Sequence, residues 1–562
     1  MDRPILLLLV AAVTLSLAFS ASAEWDYIVV GAGASGCIVA PELAKSGKRV
    51  LLLEGGPPTA WDFGGREQED FYNSVSGNKD LTVFDMPGEN ERIRQTDRFW
   101  WSSVPWARVG KGVGGSGMMN GALTFTPSPQ DLDSWPAGWK FNDLQPYFDE
   151  TFAKLSLTST PSADGELYAQ GAGEAYARMC TNQLGMRQVD LNANPNDRTN
   201  TFSITEVSAK GGQRMDACLA YLLPAMNSLS NLELMTDAEV THIKFAGGLP
   251  KGRAEAVVLK DGREMLLNPQ GKVVLTAGTF HTTKLLLTSG IGPRSVISKL
   301  SIDDLVLNDP TDWVTNDFVG KAMHDHTFTL MTFKVPDVPD FAFRYYVKEY
   351  VPEALKDYFS GRTNAYAQYG PLRIGFIGRD LKAPPEVEML GMSSGEEGSA
   401  DKDCPTCFRI LLMLLHPKAL TDFELMTRSG CDCGGAACKI GDVCKPNLYL
   451  ANQEDVATMK WAVETVGKAA QAEGYTVLTP SSLDSAALDA HLKSAVGTLP
   501  ANHYSGTCAL GKCTNTDLKV EGTQNVYVAD SSVFPTSVRA HNVGTVYGVA
   551  RKAADHISQT SA

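Results

Sequence analysis

The chain has 562 residues, 43% of them hydrophobic and 20% charged, with a formal net charge of −14. That composition excludes a disordered chain, and the length is ample for several domain-sized units around a large core. The acidic balance argues against nucleic acid as a partner, because phosphate binding draws on clustered Lys and Arg.

Residues 1–23 read as a secretory leader: one basic residue, Arg3, an apolar run from Ile5 to Phe19, and Ala21-Ser22-Ala23 as the cleavage pattern. The run falls short of the ~20 residues that a spanning helix needs, so a secreted protein without a membrane partner is expected. An oxidising compartment makes disulfides the expected state of the 11 cysteines. Cys404, Cys407, Cys431, Cys433, Cys438 and Cys444 crowd into an insert at 404–444, and Cys508 and Cys513 lie five apart. The C-x-x-C within the insert also admits a zinc site; disulfides are favoured and no metal is expected. The count is odd, and Cys37, inside a glycine motif, reads as the free thiol.

In chain order, a short strand over Asp26–Val30 runs into Gly31-Ala32-Gly33-Ala34-Ser35-Gly36. Ile38, Val39, Leu43 and Ala44 then recur at helical spacing, and a second strand over Arg49–Leu53 ends at Glu54. Strand, G-x-G-x-x-G, helix, strand and acid in register point to a dinucleotide. Gly31 permits the tight turn, Gly33 lets backbone approach a pyrophosphate, and Gly36 lets helix and strand pack closely. The pyrophosphate would sit at the positive helix N-terminus. Glu54 would accept from ribose hydroxyls and disfavours a 2′-phosphate. The motif alone does not separate NAD from FAD; its place at the start of the mature chain, and secretion, lean to a bound flavin.

Gly110 to Asn120 is too glycine-dense for an ordinary helix or strand, so backbone lies flat against something there. A third stretch runs from Gly278 to Gly292. Further along come Asp325-His326, His503 before Gly506-Thr507, and Val528-Ala529-Asp530-Ser531-Ser532-Val533-Phe534-Pro535. Together these ordered motifs resemble the glucose–methanol–choline (GMC) family of FAD-dependent oxidoreductases, from residue 26 almost to the end. Within the family, Phe84-Asp85-Met86-Pro87-Gly88, Phe99-Trp100-Trp101 and Asn192-Ala193-Asn194-Pro195-Asn196 are similar to the flavin domain of cellobiose dehydrogenase.

The resemblance implies an α/β fold: a Rossmann-like FAD-binding domain interleaved with an α+β substrate domain built on an antiparallel sheet. The chain would divide into 24–326, most of the discontinuous FAD domain; 327–500, mainly the substrate domain; and 501–562, a catalytic and FAD-binding segment. It implies FAD contacts at Gly31, Gly33, Ala34, Ser35, Gly36, Glu54, Gly112, Val113, Gly115, Asn120, Gly121, Ala122, Leu123, Val240, Asp530, Ser531, Asn542 and Thr545. Met119 near the position of covalent attachment points to non-covalent FAD. His503 matches the family's catalytic His, and His541 the second position, which is His or Asn in different members. Oxidation of an alcohol needs a hydride acceptor and a base titrating near working pH, which His supplies. His503 would take the hydroxyl proton, His541 would steady the developing alkoxide, and Asn502 would contact substrate.

Some positions depart from the family pattern. Thr124 stands where an aromatic is usual, Thr282-Thr283 replaces a Ser-Pro pair, and Thr427-Arg428-Ser429-Gly430 distorts a Ser-Arg-Gly stretch. His281 and the pair Asp325-His326 are expected to be structural, and Trp100 and Trp101 core. A terminal helix is expected over about 545–557. The expected function is oxidation of a sugar or alcohol, with electrons passing to a quinone, a metal centre or oxygen and a dehydrogenase favoured. Hydroxynitrile lyase and light-driven decarboxylase activities on the same fold are the alternatives.

Overall fold

A parallel sheet needs strands apolar on both faces, and the first strands supply them. In the computed structural model, which describes residues 24–95, 102, 104, 106–247, 252–336, 352–393, 404, 406–431 and 439–560, β1 (Trp25–Val30) and β2 (Val50–Leu53) flank α1 (Gly36–Ala44). Next come α2 (Phe141–Leu155), α3 (Gly171–Asn182), β3 (Thr201–Ile204), β4 (Leu232–Met235), β5 (Val240–Phe245), β6 (Ala254–Leu259), β7 (Glu264–Leu275) and α4 (Gly278–Thr288). The second half adds β8 (Thr327–Lys334), β9 (Pro371–Ile377), β10 (Val387–Ser393), β11 (Cys407–Leu414), α5 (Gln453–Ala472), β12 (Thr476–Thr479), β13 (Val526–Val528) and α6 (Val543–Gln559).

Strands β4, β2, β1, β7 and β13 lie side by side and parallel. The register is level at their carboxyl ends: Val30 stands beside Leu53 and Leu275, Leu53 beside Met235, and Leu275 beside Val528. The segments that follow β1, β2, β7 and β13 therefore emerge along one edge. They carry the glycine turn, Glu54, Ala277-Gly278 and Asp530, which is how motifs hundreds of residues apart meet. Helix α6 packs on α1 and α2. The amino half of β7 leaves this sheet to pair antiparallel with β6, and β6 with β5.

A second, antiparallel sheet runs β12-β8-β11-β10-β9-β3. Side chains alternate between its faces with a period of two. Met331, Phe333, Val387, Met389, Phe408, Ile410 and Leu412 face α3 and α5. Phe328, Ile374, Phe376, Leu390 and Met413 form the opposite face and cluster with Leu123, Phe125 and Ala540, beside the first sheet's carboxyl edge. The chain visits the two sheets in turn, so the expected interleaved α/β architecture is the observed one. The terminal helix is longer at both ends than expected, spanning Val543–Gln559.

One cysteine expectation is overturned. Cys37 is not free; it is bridged to Cys218, and the free thiol among the described residues is the buried Cys180. The first turn of α1 packs on the turn of helix that begins at Cys218, a contact across 181 residues with no local signal. Closing so long a loop restricts the unfolded chain by about 5 kcal/mol in the chain-entropy account. The favoured disulfide reading elsewhere is met by Cys404–Cys407, Cys431–Cys444 and Cys508–Cys513. Peptide mapping without reductant is expected to recover Cys37 joined to Cys218; recovery of an alkylated Cys37 would contradict this pairing. The leader, Trp100, Trp101, Cys433 and Cys438 lie outside the described residues.

Candidate active site

The level strand ends open onto one cavity of about 610 Å³ that runs from the glycine turn to a pair of imidazoles. Of the expected cofactor residues, Gly31, Gly33, Ala34, Ser35, Glu54, Gly115, Asn120, Gly121, Leu123, Val240, Asp530, Ser531 and Asn542 line it, as do Asn502, His503 and His541. Gly36, Gly112, Val113, Ala122 and Thr545 stand behind the wall. The Gly112 N–H donates to Glu54 Oε1 at 3.1 Å, and the Val113 carbonyl accepts from the Thr59 hydroxyl. Ala122 N–H donates to Asn120 Oδ1 at 3.0 Å.

The wall fits a dinucleotide. Gly31 has φ of +107°, a conformation that L side chains rarely adopt. Glu54 is buried and accepts N–H bonds from Ala32, Gly56 and Gly112 at 3.0, 2.8 and 3.1 Å. Burial pushes its carboxyl up to about 7, against the lowering effect of those three N–H bonds. Asp530 spends its oxygens on Gly278 N–H at 2.9 Å, the Thr282 hydroxyl at 2.6 Å and Ser532 N–H at 2.9 Å. It thus ties β13 to the start of α4 at the cavity floor.

At the far end, His503 and His541 stand edge to face with centroids 4.8 Å apart. The residue before each is left-handed, Asn502 at φ +61° and Ala540 at +66°. The main chain of His503 is pinned twice: its N–H donates to Asp325 Oδ1 at 2.6 Å, and its carbonyl accepts from Asn542 Nδ2 at 3.1 Å. Asp325 also accepts from the Tyr449 hydroxyl at 2.9 Å, and burial pushes its carboxyl up to about 7. His503 Nδ1 lies 2.9 Å from Nδ1 of His326, which leaves Nε2 for a ligand. His541 Nε2 lies 3.0 Å from Oε1 of the fully buried Glu388, which leaves Nδ1. Burial holds His503 well below the ordinary His range, and the His541 and His326 rings deepen the shift. The ring therefore stays neutral, with a lone pair to offer, through the neutral and mildly acidic range.

Residues 25–328 and 442–550 match the two models, amino- and carboxyl-terminal, of the GMC oxidoreductase family. The chain is a GMC oxidoreductase. It is 23% identical to glucose dehydrogenase [FAD, quinone] of Drosophila melanogaster, over 91% of this chain and 83% of that one. It is 25% identical to ecdysone oxidase of Spodoptera littoralis, over 95% and 91%. Among solved structures, formate oxidase aligns with a TM-score of 0.74 at 18% identity, over 95% of this chain and 98% of that one. A fungal aryl-alcohol oxidase aligns at 0.68 and 20% identity, over 95% and 99%. GMC oxidoreductases depend on FAD, and the cradle described above fits that cofactor.

The GMC motifs led to the two imidazoles but not to what backs them. His326, expected to be structural, touches His503 itself; its Asp-His dipeptide gave no hint of contact with a residue 177 positions away. Glu388 was missed because it looks like any charged residue in a strand. Its register places it on the cavity-facing side of β10, opposite Phe376 and Met413. Glu388→Gln is expected to keep the fold and bound flavin while slowing flavin reduction about 10–100-fold, of the order of one charged hydrogen bond. Unchanged reduction kinetics would remove Glu388 from the site. Thr282 and Thr283 hydrogen-bond Asp530 and, at 2.7 Å, Thr507, so they do polar work where the family has Ser-Pro. Arg428 is exposed, pairs with Asp303 and does not line the cavity. His281 does line it, and burial pushes its imidazole down to about 4.

Proposed function

We propose that this GMC oxidoreductase oxidises the CH–OH group of a small-molecule alcohol, with His503 as the base and His541 as the second hydroxyl contact. The observation that carries the reading is the pair of rings at the end of the cofactor cradle, each with one nitrogen engaged by protein and one left free. FAD, when bound non-covalently along the glycine turn and Glu54, supplies the hydride acceptor.

For His503 Nε2 to accept the hydroxyl proton, the ring must carry its own hydrogen on Nδ1 and donate it to His326. Glu388 engages Nε2 of His541 and so orients that ring. Its Nδ1 can then meet the substrate oxygen as negative charge develops there. Asn542 and Asp325 fix the His503 backbone, so no reorganisation is needed at the moment of transfer. Electrons would leave to a quinone, a metal centre or oxygen; similarity to a quinone-using dehydrogenase supports a dehydrogenase. The leader sequence and the disulfides support secretion, and no described helix is long and apolar enough to cross a membrane.

The test is anaerobic. Alcohols are added to the yellow protein and the visible spectrum is followed. Bleaching is the expected result; a flavin that every alcohol leaves oxidised would move the assignment to a lyase without net redox. The pH dependence follows from His503. Burial disfavours its imidazolium, so the free enzyme protonates the base only well below pH 6.5. The rate of flavin reduction is expected to hold down to that range, and an acid limb with apparent pKa of 7 or above would contradict it.

A further inference from the structure

Resting on the reading above, we infer that the substrate is an apolar alcohol, aryl or alkyl, and not a sugar. Across the cavity from the glycine turn, the antiparallel sheet contributes Phe328 from β8, Leu390 and Met392 from β10, and Leu411 from β11. Leu390 and Leu411 are direct cross-strand partners, and Leu123 joins them from the glycine-rich loop. Among the described residues this sheet brings no hydroxyl, amide or charged side chain to the lining.

The same face does contain one acid beside the imidazoles, Glu388, but His541 covers it, and it is fully buried. His503 and His541 each keep one ring nitrogen free at the cavity, enough for one hydroxyl, and the other polar side chains of the lining among the described residues, Asn90 and Ser102 included, come from outside this sheet. Asn502 is exposed at the rim. A pyranose carries a hydroxyl on nearly every ring carbon. Against this wall its non-reacting hydroxyls would lose water and gain no partner. An aromatic ring or alkyl chain has the opposite balance: its surface leaves water for Phe, Leu and Met, and its single hydroxyl meets both rings.

The experiment uses the flavin-loaded enzyme without oxygen. Benzyl alcohol, cinnamyl alcohol and 1-hexanol are compared with glucose, xylose and cellobiose for the concentration that half-saturates flavin bleaching. The apolar set is expected to act at concentrations at least 100-fold lower. Met392→Ser, a change at a half-buried wall position, is expected to raise that concentration about tenfold for the apolar set at unchanged flavin content. Toluene, which cannot be oxidised at a hydroxyl, is titrated separately and is expected to perturb the flavin absorption band saturably where glucose does not. Bleaching by sugars at lower concentration than by the apolar alcohols overturns this inference and leaves the oxidoreductase reading standing. If no alcohol of either set bleaches the flavin, that reading fails. The toluene titration then decides the pocket's preference alone, and a flat spectrum overturns the inference as well.

Discussion

His503→Ala is expected to retain its flavin and to lose flavin reduction by a factor of about 10²–10⁴, the usual contribution of a positioned general base. The two halves of that result have separate origins. The ring reaches the far end of the cavity, whereas the cofactor cradle is built from the glycine turn, Glu54 and Gly115. The His503 backbone is held through its own N–H and carbonyl by Asp325 and Asn542, so removing the ring leaves the loop anchored. His326 would lose the His503 ring as its partner, and it tolerates the loss as a neutral ring, because burial pushes its own imidazole down to about 3. Rapid-mixing absorbance under anaerobic conditions reads the loss, and the ratio of flavin to protein absorbance reads retention. Near-normal reduction in this variant would reject His503 as the base.

The second large effect concerns the glycine turn, and three substitutions separate folding from cofactor binding. A Cβ on Gly36 would stand 1.9 Å from the Gly31 carbonyl oxygen, and one on Gly31 would stand 2.7 Å from Ala277 Cα. Backbone on both sides cannot yield, so Gly36→Ala and Gly31→Ala are expected to give insoluble or colourless protein. Gly33 is different: a Cβ there meets nothing nearer than the Thr276 carbonyl at 4.0 Å. Its side faces open space in the cavity, which a pyrophosphate would occupy. Gly33→Ala is therefore expected to fold, with a cooperative thermal transition, and to bind FAD weakly or not at all. A yellow Gly33→Ala protein with full flavin content would mean that the cofactor does not approach the chain at that residue.

The cradle was readable in advance because its chemistry is local. A turn, a helix start and an acid at the end of the next strand occupy residues 26–54, and each imposes a backbone requirement that shows in residue type. The longer cofactor assignment was less sharp. Gly112 and Val113 do not line the cavity, since spacing along a glycine-rich loop does not say which residue faces inward. Cys37 was misread for a similar reason: its partner lies across 181 residues.

What the sequence determined by itself is the family, the cofactor, the dinucleotide turn and the two histidines, because each rests on short-range pattern. Tertiary structure decided what those histidines can do. The level carboxyl ends of the parallel strands bring the glycine turn and Asp530 to one edge. The period-two register of the antiparallel sheet places Glu388 behind His541, and Leu390 and Met392 along the cavity. His326 reaches His503 only because residues 324–328 pair with the segment 499–505. Contacts of that kind depend on strand register between distant segments, and a one-residue shift would turn each of those side chains to the opposite face.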